Sequence, residues 1–174
     1  MESVPMADPR TTADEVIRYP DPRLRRTARP ISEDEMTPEL IARARGLFPL
    51  MYAEKGIGLA APQVGWGVRL FVINLSGETE DELILINPVI QEESGGTWNA
   101  EEGCLSVPKI YGKVVRNRKI RMVGWNLEGE EIEIQAEGMV ARCLLHEYDH
   151  LDGILFIDRL SAVKKQGIKR KLRV

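Results

Sequence analysis

The chain has 174 residues, 43% hydrophobic and 29% charged, and a net charge of −3. That composition describes one soluble domain over 1–174, long enough to bury a core, and so small a net charge sets up no overall field for DNA. No apolar run approaches the ~20 residues that span a bilayer, and two cysteines are too few for a disulfide framework. Residues 1–13 read as a loose tail without the charged-then-apolar pattern of a signal peptide, so a cytoplasmic location is expected. Residues 16–31, VIRYPDPRLRRTARPI, hold prolines at 20, 22 and 30; these prevent a long helix and predict an extended path across the body.

Thr37-Pro38 is a helix start, a capping residue followed by proline at the first helical position. Leu40, Ile41, Ala44, Leu47, Phe48 and Met51 then recur at helical spacing up to Gly56, and Pro49 is expected to kink or split the helix. GIGLAA (56–61) fits the dinucleotide fingerprint formally, but it follows a helix rather than a strand, which argues against a cofactor loop. Residues 68–75 and 83–90 are aliphatic, β-type runs, and Gly95-Gly96 reads as a turn. KVVRNRKIRMVGWNL, EGE and EIEIQA form a predicted hairpin with Gly129 in its connection, and Glu131, Glu133 and Gln135 alternate with Ile132, Ile134 and Ala136. A helix carrying the last motif follows, then an apolar connection and a basic tail. The order predicts an α+β domain, with mostly antiparallel sheets around the central helix and a further helix near each end.

That central stretch reads EGMVARCLLHEYDHLDG (137–153) and holds the chain's two histidines, His146 and His150. At i and i+4 on a helix both imidazoles reach one metal ion, and Glu147 between them can take a proton from a water there. The competing reading is a polar helix face with two unrelated histidines. The layouts that place a third ligand downstream fail here: Phe156 stands where a histidine is needed, and no glutamate follows Glu147. Of the two cysteines, Cys143 lies on the same helix and reads as a small buried residue beside the site. Cys104, between a glycine and a short apolar run, belongs to another element. Sulfur with two imidazoles suits Zn²⁺, and imidazole also suits Fe²⁺.

Three segments, GIGLAAPQVG (56–65), EEGCLSVP (101–108) and HEYDHLDG (146–153), together resemble the peptide deformylases, and the likeness extends over nearly all the chain beyond the first dozen residues. The resemblance implies a hydrolase that removes the formyl group from the N-terminal formylmethionine of newly made polypeptides through metal-bound hydroxide. It implies Cys104, His146 and His150 as ligands to one divalent ion, Fe²⁺ in the cell, with Zn²⁺, Ni²⁺ or Co²⁺ possible in purified protein. Glu147 would be general acid/base, with Gln63 and the Leu105 N–H as the oxyanion hole. Formylmethionyl nascent peptides would meet the main chain at Ile57 and Gly58, and Glu102, Gly103, Met139 and Cys143 on the substrate side. For Met139, plain core packing is the alternative. Tyr111 stands where some bacterial members have an arginine turned to the peptide, and Leu145 where many have glutamine.

Two rival functions remain at this level, a zinc peptidase of HExxH type and a non-catalytic relative that binds ribosomes or nascent chains. The basic tail (Lys164, Lys165, Lys169, Arg170, Lys171, Arg173) reads either as a solvated helix end or as a ribosome contact. No membrane or DNA partner is expected.

Overall fold

In the computed structural model, which describes residues 14–172, one antiparallel sheet runs in the order β1 (Gly58–Ala60), β2 (Leu70–Ile73), β3 (Leu83–Cys104), β4 (Val107–Trp125) and β5 (Glu131–Glu137). Three helices accompany it: α1 (Pro38–Ala53), α2 (Met139–Leu151) and α3 (Ala162–Leu172). This is the expected α+β architecture. The tail expected over residues 1–13 lies outside the described residues.

The sheet is dominated by one long hairpin. Cys104 pairs with Val107, so β3 and β4 reverse through only Leu105 and Ser106. The turn expected at Gly95-Gly96 is not a reversal. β3 runs through both glycines, at φ +76° and +72°, while its register with β4 shifts between Ser94 and Thr97. Both glycines lie opposite the single residue Arg118, which makes the pair a bulge rather than a turn. The β4–β5 reversal is where the sequence places it. The Asn126 side chain accepts from the N–H groups of Glu128 (3.0 Å) and Glu130 (2.9 Å), closing the turn locally. Along β5 the isoleucines are half-buried and the acidic residues exposed, as their alternation requires.

Helix α1 starts at the Thr37 cap, whose hydroxyl accepts from Leu40 N–H at 3.2 Å, and buries Ala44, Leu47, Phe48 and Met51. Pro49 does not split it; the helix continues to Ala53. The carbonyl that Pro49 leaves unbonded belongs to exposed Arg45, where water can satisfy it, and packing of the apolar face holds the rest.

The N-terminal segment is extended apart from a short 3-10 turn at Pro22–Arg25. It straps together the parts that matter below. Ile17 N–H donates to Gln63 O (2.7 Å), Tyr19 N–H to Ser106 O (2.8 Å) and Ala28 N–H to Leu151 O (2.8 Å). It thereby ties the loop after β1, the β3–β4 tip and the end of α2. Helix α2 packs against β1, β2, β4 and β5, and ten of its 13 residues are buried.

Candidate metal centre

The fold carries the end of β3 onto the middle of α2. Cys104, the last residue of β3, meets His146 and His150, and the donor atoms of all three lie within 4.8 Å of one another. The Cys104 thiol is 3.4 Å from His150 Nε2, and the two imidazoles sit edge to face with centroids 5.1 Å apart. Cys143 stands apart from this group, buried, with its sulfur 3.9 Å from the Ile57 carbonyl; burial pushes its thiol well above the usual range.

His146 is oriented from behind. Its Nδ1 lies 2.9 Å from Glu102 Oε1, which leaves Nε2 for the cluster. Glu102 itself is buried and receives Arg116 Nε (2.6 Å), Arg116 Nη2 (2.9 Å) and Arg142 Nη1 (2.6 Å). Burial works against its charge, but the bonds from His146 and Arg116 outweigh burial and hold its pKa at about 2. A permanently charged acceptor on Nδ1 makes the imidazole a more basic donor. Burial drives His150 well below the ordinary imidazole pKa, into the neutral form a ligand needs.

Glu147 has the opposite environment. It is 3% exposed, its Oε2 has no hydrogen-bond partner among the described residues, and its Oε1 lies 4.0 Å from His146 Nε2. Burial, the largest cause, pushes its pKa up to about 7. Gly58 makes the space: a Cβ there would stand 2.6 Å from Glu147 Oε1. Gln63, also buried, accepts from Ala60 N–H through Oε1 (2.9 Å), which turns its NH₂ toward Ser106 Oγ (3.1 Å) and the Cys104 sulfur (3.5 Å).

A cleft of ≈ 580 Å³ opens from this cluster. The substrate-side residues named from sequence, Ile57, Gly58, Glu102, Gly103, Met139 and Cys143, all line it, as do Gln63, Leu105 and Glu147. Met139 is 48% and Ile57 45% exposed, so both offer apolar surface at the cleft and Met139 is not core filler. Tyr111 lies at the same wall, 60% exposed. The Glu102 carboxylate is taken up by His146 and the arginines.

Sequence reasoning missed Arg116, Arg142 and Asp149, all buried here. Arg116 does carry a signal, because it continues the buried alternation of Ile110, Gly112 and Val114 along β4.

Soft donors brought together beside a buried carboxylate and a side-chain amide, at the head of an apolar cleft, are the equipment of a metal-dependent hydrolase. Comparison with known proteins gives the family. The polypeptide deformylase profile matches residues 13–166. Peptide deformylase of Acidobacterium capsulatum is 47% identical over 160 residues, covering 91% of this chain and 92% of its own. That of Acinetobacter baumannii is 44% identical over 157 residues, covering 90% and 88%. The crystal structure of a Legionella pneumophila peptide deformylase superposes with a TM-score of 0.88 at 39% identity, covering 93% of this chain and 94% of that one. The chain belongs to the polypeptide deformylase family. Its activity is accordingly metal-dependent removal of N-terminal formyl groups, a step in the processing of newly made proteins. Among the described residues, no helix is long and apolar enough to cross a membrane.

The two cysteines separate cleanly in a binding experiment. Cys104→Ala is expected to lose tight metal binding and Cys143→Ala to keep about one ion per chain, measured as metal content after gel filtration. The reverse pattern would overturn the ligand assignment.

Proposed function

We propose that Cys104, His146 and His150 hold one divalent cation, and that with it the chain hydrolyses the formyl amide of formylmethionyl peptides using Glu147 as general acid/base. The observation that carries this reading is the convergence of the three donors beside the unpartnered, buried Glu147 carboxylate at the head of one cleft. The donor set suits the ion, since a thiol and two histidines buried against the sheet match a borderline-soft cation. When bound, such a cation acts as a Lewis acid that brings the pKa of water down to about 7.

The residues then divide the work. Glu147, with a pKa of about 7, takes the proton of the attacking water and passes it to the amine that leaves. The Gln63 NH₂, aimed by the Ala60 bond to its oxygen, and the Leu105 N–H at the hairpin tip donate to the formyl oxygen as it becomes negative. Among the described residues β1 pairs with β2 alone, so an extended peptide can add to its free edge at Gly58 and the preceding Ile57. The methionine side chain meets Met139 and Cys143, polarizable neighbours for a thioether, and the peptide passes the main chain of Glu102 and Gly103. Formyl is the smallest acyl group, which suits a reacting centre crowded by main chain: Gly58 lies so close to Glu147 that a Cβ there would stand 2.6 Å from Oε1.

Glu147→Gln is expected to retain one metal per chain and lose about 10²–10⁴-fold in kcat on a formyl-Met peptide, since an amide accepts no proton. Full turnover by a metal-loaded Gln variant would rule out the acid/base role. The native ion is taken as Fe²⁺. Protein purified anaerobically should then lose activity in air, with oxidation at the iron and at the Cys104 sulfur, whereas Co²⁺- or Ni²⁺-loaded protein should not. Full activity of an aerobic, zinc-only preparation would contradict iron.

Helix α3 touches the body through buried Ile168 and half-buried Leu172, and turns Lys164, Lys165, Lys169, Arg170 and Lys171 outward; Arg173 lies outside the described residues. This surface is assigned to ribosomal RNA. Deleting residues 164–174 should leave turnover of a short formyl-Met peptide unchanged and abolish co-sedimentation with ribosomes at low salt. Undiminished sedimentation of the truncated protein would reduce the helix to a solvated end.

A further inference from the structure

Behind the donor set lies a buried ionic chain that the reaction does not use directly. At its centre is Arg116, on β4. Two of its nitrogens, Nε and Nη2, grip both oxygens of Glu102, at 2.6 and 2.9 Å. The third, Nη1, reaches Asp149 Oδ2 at 3.0 Å. Glu102 stands two residues before Cys104 on β3. Asp149 stands on α2 between the two histidines, next to His150. The guanidinium therefore joins the strand that delivers the thiol to the helix that delivers the imidazoles. All three side chains are at most 8% exposed, so water cannot take the place of either contact.

We propose that Arg116 is a positioning residue for the metal centre, a bracket that sets the spacing between Cys104 and the histidine pair. This inference rests on the ligand reading above. Two geometric effects follow from the same fork. The paired bonds to Glu102 fix the plane of its carboxylate, and with it the direction from which His146 Nδ1 is held and the direction in which Nε2 points. The bond to Asp149 adds a tie between the β3 end and α2 beside His150, the part of the helix that the Glu102 contacts of Arg142 and His146 do not reach. Arg142 also crosses from α2 to β3, to Glu102 and to the carbonyls of Trp98 and Ala100, and reaches Val114 O on β4; it ties the helix one turn before His146, whereas Arg116 ties it at Asp149, beside His150. Arg159 holds Asp149 from the outer side, at 2.7 and 2.8 Å, with 41% of its side chain exposed, and touches neither Glu102 nor a donor. Only a planar group with three donors in fixed directions satisfies both carboxylates at once. A lysine ammonium in that place can meet one but cannot hold the fork.

The test compares Arg116→Lys, Arg159→Met and the parent, each loaded with Co²⁺. Affinity is read by competition with a chromophoric chelator, and ligand geometry by the visible absorption of the Co²⁺ form. The expected result is a loss of about 10–100-fold in Co²⁺ affinity for R116K, the range typical of groups that orient metal ligands, with shifted absorption bands. R159M should stay within about threefold of the parent with an unaltered spectrum, whatever its thermal stability. Parental affinity and spectrum in R116K, or an equal loss in R159M, would overturn the proposal. If the parent binds no Co²⁺, it is the ligand assignment that fails, so the two failures are distinct. Should R116K not be recovered folded, Asp149→Asn serves instead. It leaves the fork on Glu102 but turns the charged acceptor of Arg116 Nη1 into a neutral amide, whose NH₂ can accept from neither arginine, so a loss of at least about threefold in affinity supports the bracket and unchanged affinity refutes it.

Discussion

The constraint on which the rest of the structure depends is the burial of a charged helix. α2 places Arg142, His146, Glu147, Asp149 and His150 in the interior, together with its aliphatic residues. Buried charges of this kind are tolerated only when other charges and hydrogen bonds meet them. The long β3–β4 hairpin provides these: Glu102 from one strand and Arg116 from the other enter the interior together, and the same excursion brings Cys104 to the helix. The N-terminal strap closes the arrangement by bonding to Gln63, Ser106 and Leu151, one residue in each part of the centre's surroundings.

Two buried carboxylates within this interior have opposite fates. Glu102 is surrounded by His146, Arg116 and Arg142 and stays charged far below neutral pH, at about 2. Glu147, on the cleft side, is hydrogen-bonded to no cation among the described residues and is raised to about 7. One carboxylate is thereby fixed as an anion behind the imidazole, and the other titrates near neutrality. The like-charged pair, one on β3 and one on α2, is thus held in two different protonation regimes by its surroundings.

Local signals made much of this readable. The Thr37-Pro38 start, the period of α1, the alternation on β5 and the connection at Gly129 each depend on residues close in sequence, and each is found. A split at Pro49 does not occur, because its cost depends on whether the freed carbonyl can reach water, which sequence does not state. Gly95-Gly96 forms a bulge instead of a turn for a related reason. A pair of positive-φ residues serves a turn or a bulge equally well, and the choice is made by the partner strand. The donor cluster was legible through the i, i+4 histidines and the three matching segments. The ionic chain behind it was not: Glu102 meets Arg116, Arg142 and His146 across 14, 40 and 44 residues, and only the hairpin's register makes them neighbours.

The central claim is that one strand end and one helix build a single mixed sulfur–nitrogen centre. X-ray absorption at the edge of the bound metal tests it most directly. The account predicts one sulfur and two imidazoles among the ligands of the loaded protein, with the sulfur contribution gone in Cys104→Ser. A sulfur-free coordination shell in the unmodified protein, or a sulfur that persists without Cys104, would contradict it.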